Sequence, residues 1–459
     1  MQARRTSEAP APPALVAAIG FVLIAAYVSV ALLLIDRTSF DVWGAFLLIP
    51  VLIALSIPAL RRQAARETDP RMFRIMLIAL LVKLAGAVVR YYVVFTVYGG
   101  GADAARYHTE GVGFASAFRH LDFTGVHLVT GTPFMGPVTG AVYAIIGPSK
   151  LGGFVFFSWL GFWGLFLFYR AFTIAVPLGS RRAYALLLFF LPSLVFWPSS
   201  IGKEAWMMFS LGIAAYGVAK ILTKATWGGL IICGAGLWAA GMVRPHMAAL
   251  VALSLAVAVI TRKSKIELRE LAPLVKGGAI VIVAVLAAIL VVRTDRFLQG
   301  AGIDTSGGVD STLNDVQGRT SEGGSSFAPS IVDSPARAPL ATVTVLFRPF
   351  VFETHNLQSL LAAIEGTALM IFCLVRFRWG WAAIRSLRRQ PYVVFSLVYS
   401  VLFIVAYSSY ANFGLLARQR VQLYPFFLIL LSIPPVTRRR GAAVSSTRMP
   451  RQERDTVPV

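Results

Sequence analysis

The chain has 459 residues, 57% of them hydrophobic and 14% charged, with a mean hydropathy of +0.71, a balance that excludes a soluble globular domain. Its apolar runs reach membrane-spanning length and lack the alternation of β-barrel strands, so the expected class is an all-α, polytopic integral membrane protein. The net charge of +22 invites a nucleic-acid reading, which the placement of that charge along the chain removes.

In chain order, residues 1–12 are a basic start (Arg4, Arg5) expected to be a cytoplasmic tail. The run 13–35 is too long for a signal-peptide core and lacks a small-residue cleavage site, so it reads as a retained first span. With a second span at 40–60 it forms an N-terminal pair within 13–71. A membrane core follows over 72–293, with spans expected at 72–98, 151–171, 183–198, 204–222, 227–243, 247–261 and 277–293, and an acidic outer loop at 99–135. The stretch 294–337 is rich in Gly, Ser and Asp and reads as a flexible outer loop. C-terminal membrane helices at 357–376, 391–411 and 421–436 lie within 338–437, and 438–459 reads as a basic, disordered cytoplasmic tail. The pattern predicts about twelve spans with both termini in the cytoplasm. Two apolar pieces, 134–147 and 339–352, are too short to cross and read as re-entrant or juxtamembrane helices on the outer face. Cys233 and Cys373 both sit in apolar runs, which speaks against a disulfide framework or a thiolate zinc site.

With span-end residues counted in the adjoining loop, 28 of the 43 Lys/Arg fall on expected cytoplasmic segments and 13 on outer ones. The acidic residues fall seven inside and 13 outside, so nearly all the excess charge is the positive-inside signal. No nucleic-acid partner is implied.

The outer segments carry the chemistry. All five histidines lie there, as do "WPSSIGKEAW", "MVRPHM", "FRPFVFETHN" and "NFGLLARQR". Each is short and lies between apolar runs, where charge is costly unless it faces protein or a water-filled cavity. Arginine forks suit phosphate oxygens bidentately, and lysine suits them as a point charge. Lys203, Arg244, His246, Arg348, Arg418 and Arg420 are therefore candidate phosphate-binding residues. A carboxylate beside the phosphate would take the proton of an attacking hydroxyl, with Asp103 the candidate base. Arg106, Tyr107, His108, Glu110, Glu204, Glu353 and His355 are possible accessory residues.

Each candidate also has a plain structural reading. Asp103 suits a helix cap, and Arg106 an intrahelical partner for Asp103 or Glu110. Lys203 and Glu204 suit a self-neutralising pair at a helix start, and Arg348, Glu353 and His355 a local network. Lys83, Arg90 and Glu365 lie within spans and suit a structural role, Lys83 and Glu365 as a pair that holds helices together; Trp197 and Trp206 suit an interfacial belt. No metal-ligand spacing such as HxxxH occurs, so no cofactor is expected and a divalent metal has no support from spacing.

A long apolar helix ending in an acidic outer loop, followed by a juxtamembrane helix and "GPVTGAVYAIIGPSKLGG", resembles the first-loop arrangement of GT-C-type, polyprenyl-phosphate-sugar-dependent glycosyltransferases. "FWPSSIGKEAWMMF", "RPH", "FRPFVFETHN" and "FGLLARQRVQLYP" are similar to motifs of predicted membrane proteins of bacterial cell-surface polysaccharide biosynthesis. The resemblance covers about residues 72 to 425. It implies a GT-C-like fold in a bacterial plasma membrane, an active face outside, and the first-loop aspartate, here Asp103, as base. Two departures stand out: the acidic loop follows the third expected span, and Asp103 lacks an adjacent second acid, Glu110 being seven residues on. The implied partners are a polyprenyl-phosphate-linked sugar, membrane lipids and a cell-envelope glycan acceptor. The rival expectations are an undecaprenyl-pyrophosphate polysaccharide polymerase or ligase and, from another class, a non-enzymatic lipid-linked glycan flippase.

Overall fold

The computed structural model describes residues 13–224, 226–262, 272–300, 302–303, 308–321, 326–332, 334–354 and 356–435. The expected tails 1–12 and 438–459, and His355, lie outside the described residues. Among the described residues the chain is helical, with no strand beyond one isolated bridge, Ser326 to Asn412. In order the helices are α1 Pro13–Arg37, α2 Phe40–Ala64, α3 Met72–Tyr92 with a π-helical turn Val93–Val97, α4 Asp103–Arg119, α5 Met135–Ile146, α6 Lys150–Ala175 and α7 Arg181–Phe190. Then come α8 Pro192–Phe196, α9 Lys203–Lys224, α10 Trp227–Val243, α11 Pro245–Thr261, α12 Ala272–Gly300 and α13 Val309–Thr320. The last are α14 Ala338–Phe347, α15 Leu357–Val375, α16 Phe377–Ser386, α17 Pro391–Tyr407, α18 Phe413–Gln419 and α19 Tyr424–Leu430.

Among the described residues, six helices are long and apolar enough to cross a membrane: α1, α2, α3 with its π turn, α6, α9 and α15; the sharply bent pair α16–α17 makes a seventh if it is one span. Each of the expected twelve runs holds helix among the described residues, but several of those helices are shorter than a bilayer. The run 183–198 breaks at Pro192 into α7 and α8, because proline has no N–H to continue the ladder. The run 421–436 holds only the seven residues of α19. Hydropathy registers apolar content and misses such breaks. Within 294–337, where a flexible loop is expected, α13 forms, and Phe327 stacks on Phe413 at 4.2 Å.

The centre is α6 packed on α9 and α9 on α10, and glycine permits the close approach. A Cβ at Gly164 would sit 2.4 Å from the Met208 carbonyl oxygen, and one at Gly212 2.4 Å from that of Gly164. Gly217 and Gly236 bring α9 against α10 in the same way. Small residues at helix contacts let backbones meet where lipid gives no hydrophobic drive between helices. On α3, Met72, Met76, Ala79, Leu80, Lys83, Leu84 and Ala87 form the helical stripe that faces this core.

Lys83 and Glu365 do not pair. Both instead hold the short α8: Lys83 Nζ donates to the carbonyls of Leu194 at 2.7 Å and Val195 at 3.0 Å. Glu365 accepts from the backbone N–H and hydroxyl of Ser193 at 2.9 and 2.8 Å. The cation meets the carbonyl end of the turn and the anion the amide end, as the helix dipole favours. Trp197 and Trp206 both make contacts within the protein. Trp197 is buried, and Trp206 Nε1 donates to Ala239 O at 2.8 Å across the α9–α10 contact. The clamp on α8 fixes the start of the loop that runs to Lys203.

Candidate functional site

Glu204, one residue into α9, is buried and lies between two arginines. Arg244 Nη2 donates to its Oε1 at 2.9 Å, and Arg418 Nη2 to its Oε2 at 2.9 Å. Arg418 Nε also lies 2.6 Å from Oε1, too poorly aligned for a hydrogen bond. The same Nη2 of Arg418 donates to Asp103 Oδ2 at 2.9 Å, so one guanidinium joins two carboxylates. Burial pulls the Arg418 pKa down, but Glu204 and Asp103 outweigh it and hold the guanidinium above its ordinary range.

Each member comes from a helix end. Asp103 is the first residue of α4; Ala102 holds the cap position, and no side-chain cap forms there. The carboxylate still lies at the amide end of the helix, where negative charge is favoured. Arg244 sits in the break between α10 and α11, which Pro245 enforces by opening a new helix. Arg418 is in the last turn of α18, whose N-terminus Asn412 caps by accepting from the amides of Gly414 and Leu415. Gly202, at φ +147°, turns the chain into α9 against the ring of the fully buried Tyr107. Burial, with Asp103 and Glu204 nearby, raises the Tyr107 pKa. Lys203 Nζ donates to Thr132 Oγ1 at 3.1 Å, and Gly131 N–H donates to Met242 O at 2.8 Å, tying the loop before α5 to the cluster.

The cluster thus gathers Asp103, Tyr107, Lys203, Glu204, Arg244 and Arg418. His246 stands beside it, with Nε2 3.2 Å from the Tyr407 hydroxyl and its buried Nδ1 unpartnered among the described residues. The remaining candidates lie apart. Arg106 pairs with Glu110 at 2.7 Å on the surface of α4, rather than with Asp103. His108 Nδ1 meets the Tyr143 hydroxyl at 2.7 Å, joining α4 to α5, and burial with Lys150 nearby lowers its pKa. Arg348 forms a closed pair with Glu353 and lies over the rings of Phe327 and Phe413. Burial pushes the Glu353 carboxyl up, but hydrogen bonds from Arg348 and the Phe350 N–H outweigh it, leaving its pKa lowered. Arg420 is fully buried and donates through Nη1 to the carbonyls of Leu346 at 3.3 Å and Arg348 at 2.6 Å.

Thr132, Tyr407 and Arg90 belong to this neighbourhood without having been singled out for it. Arg90 was visible as an in-span cation, while Thr132 and Tyr407 carry no sequence signal of their own. Next to the cluster, on the α4–α5 hairpin, an apolar cavity of about 400 Å³ opens between Phe118, Phe123, Leu128, Phe134, Val138 and Trp238. Phe134 also packs edge-on against Trp206 at 5.6 Å, two residues from Thr132. Among the described residues, no three His, Cys, Asp or Glu side chains are grouped to hold a metal ion. The chain matches no family profile, no curated protein and no solved structure.

Proposed function

We propose that the protein is a membrane glycosyltransferase of GT-C-like, twelve-pass architecture that moves a sugar from a polyprenyl-phosphate donor to a cell-envelope glycan or lipid acceptor. The reaction would take place on the outer face of a bacterial plasma membrane. One observation carries the reading: a basic cluster with a single half-exposed carboxylate, Asp103, lies at helix ends beside an apolar cavity. An isoprenoid chain suits the cavity, and a phosphate suits the cations.

The chemistry follows from the charges. The acceptor hydroxyl oxygen bonds to the anomeric carbon as the bond from that carbon to the phosphate oxygen breaks. The hydroxyl proton goes to Asp103, and the electron pair leaves on polyprenyl phosphate. Arg418 now holds Asp103, which weakens it as a base; a donor phosphate that draws Arg418 to itself frees the carboxylate at the moment it is needed. The phosphate changes from a diester with one charge to a monoester with up to two. Fixed cations therefore stabilise the transition state more than the ground state. Glu204, enclosed by two arginines, positions them and is not the base.

Transfer from extracted polyprenyl-phosphate sugars in proteoliposomes tests the reading. Asp103→Asn is expected to cut turnover by roughly 10²- to 10⁴-fold with the fold and donor binding kept, the usual worth of a general base. Wild-type turnover in Asp103→Asn sinks the base assignment. Lipid movement across the bilayer without transfer from any donor sinks the enzyme reading.

A further inference from the structure

Arg90 reads from the sequence as an in-span cation kept for structure, yet among the described residues no carboxylate pairs with it. Its guanidinium carbon lies 4.6 Å from the Phe196 ring centroid and 4.8 Å from that of Trp197, and the residue is 8% exposed. Its Nε and Nη1 are buried without a hydrogen-bond partner among the described residues. Aromatic faces offset part of the cost of burying a cation, but the in-plane N–H groups still need acceptors.

Arg90 is within electrostatic range of Glu204 and Arg418, so its charge belongs to their cluster. There Arg90, Lys203, Arg244 and Arg418 face two carboxylates, Asp103 and Glu204. Both Glu204 oxygens are taken by Arg244 and Arg418, and Asp103 is held by Arg418. Two positive charges remain uncompensated. The donors left over are Arg90 Nε and Nη1, Arg244 Nη1, Arg418 Nε and the Tyr107 hydroxyl, all buried and unpartnered among the described residues. Buried donors beside an excess of positive charge suit an anion, and a guanidinium fork matches a pair of phosphate oxygens.

We infer that Arg90 is the unpaired arm of a dianion site which, with Arg244, holds the phosphate monoester of a lipid. The inference rests on the donor-phosphate reading above and narrows it: the site fits the doubly charged leaving phosphate better than the singly charged diester. Phe196 and Trp197 lie against the guanidinium and limit how it turns, so its fork is set before the ligand arrives.

Binding to the purified full chain in detergent tests this with four probes: farnesyl phosphate, its methyl diester, farnesol and inorganic phosphate. Wild-type protein is expected to prefer the monoester over the diester by about tenfold or more, the worth of a charge-assisted hydrogen bond. Arg90→Gln is expected to lose most of that preference, its monoester affinity falling several-fold further than its diester affinity. A purely structural Arg90 would lower the affinity for both esters together or shift unfolding. Should Arg90→Gln fail to fold, Arg90→Lys carries the test, since it keeps the charge without the fork and is expected to lose part of the preference. An intact preference in the folded variant overturns the role of Arg90 and leaves the donor-phosphate reading standing. Wild-type protein that binds farnesol as well as either ester overturns both. Inorganic phosphate bound as tightly as farnesyl phosphate overturns the assignment to a lipid.

Discussion

Two arginine–carboxylate groups in this protein look alike in sequence and differ in what they leave over. Arg348 and Glu353 are five residues apart and close on each other; Glu353 also takes the Phe350 N–H, and Arg348 Nη1 reaches Ala328 O. None of their side-chain polar atoms is buried without a partner. The Glu204 group is assembled from partners 40 and 214 residues away, and Asp103 meets Arg418 across 315. It leaves cationic donors unmet on Arg90 and Arg244. A pair that satisfies itself has finished its work once the chain folds. A group brought together over such distances with donors to spare is what the proposed anion site would require.

The comparison breaks most sharply at Glu204. Glu204→Gln leaves Arg244 and Arg418 facing each other in a buried site without their shared anion. Removing one partner of a buried ion pair costs about 3–5 kcal/mol. Thermal unfolding in detergent should show that loss, together with loss of transfer. A stable, active Glu204→Gln protein would mean the arginines do not need the carboxylate and that the cluster is not organised by it.

How much of this was legible in the sequence follows the same division. Lys203, Glu204, Arg244 and Arg418 were visible because ionisable groups in short segments between apolar runs are conspicuous. Their pairings were not, because only the packing of α9 against α10 and the placement of α18 bring such distant segments together. Arg90 was visible as a charge but not as a site residue, since an in-span arginine reads the same whether an acid or an aromatic ring lies beside it. The all-helical class and the membrane setting follow directly from composition and run length. The break at Pro192 and the seven-residue α19 do not, because the hydropathy averages across them. Lys83 and Glu365 show a subtler limit: opposite charges inside spans suggest each other as partners, whereas here both are used on backbone and hydroxyl groups of one short helix.

A second prediction sharpens the contrast. Arg348→Ala and Glu353→Ala should each cost roughly 1–3 kcal/mol, since each leaves a mostly buried charge without its mate. The double variant should cost less than the sum of the two, as directly coupled groups do. Transfer and donor binding, measured on the folded fraction, should stay within a few-fold of wild type. A loss of donor binding comparable to that of Arg418→Ala would place Arg348 with the proposed phosphate site and remove its difference from the Glu204 group.

The smallest effect is expected at His108, which lies between the two extremes: its one side-chain hydrogen bond among the described residues, to the Tyr143 hydroxyl, is local to the α4–α5 hairpin, yet that hairpin carries Asp103. Burial lowers its pKa in the folded chain, with Lys150 adding to the shift. The neutral ring is thus favoured on folding. Its contribution to stability is complete above the ordinary histidine value of about 6.5 and is lost as the pH falls through the lower folded value. His108→Gln has no group to protonate there, so unfolding temperature plotted against pH should be flatter than wild type on the acid side. At neutral pH the variant should lose about 0.5–1.5 kcal/mol, one net hydrogen bond. An acid limb as steep in His108→Gln as in wild type would assign the acid sensitivity to other groups and leave the His108–Tyr143 contact as packing alone.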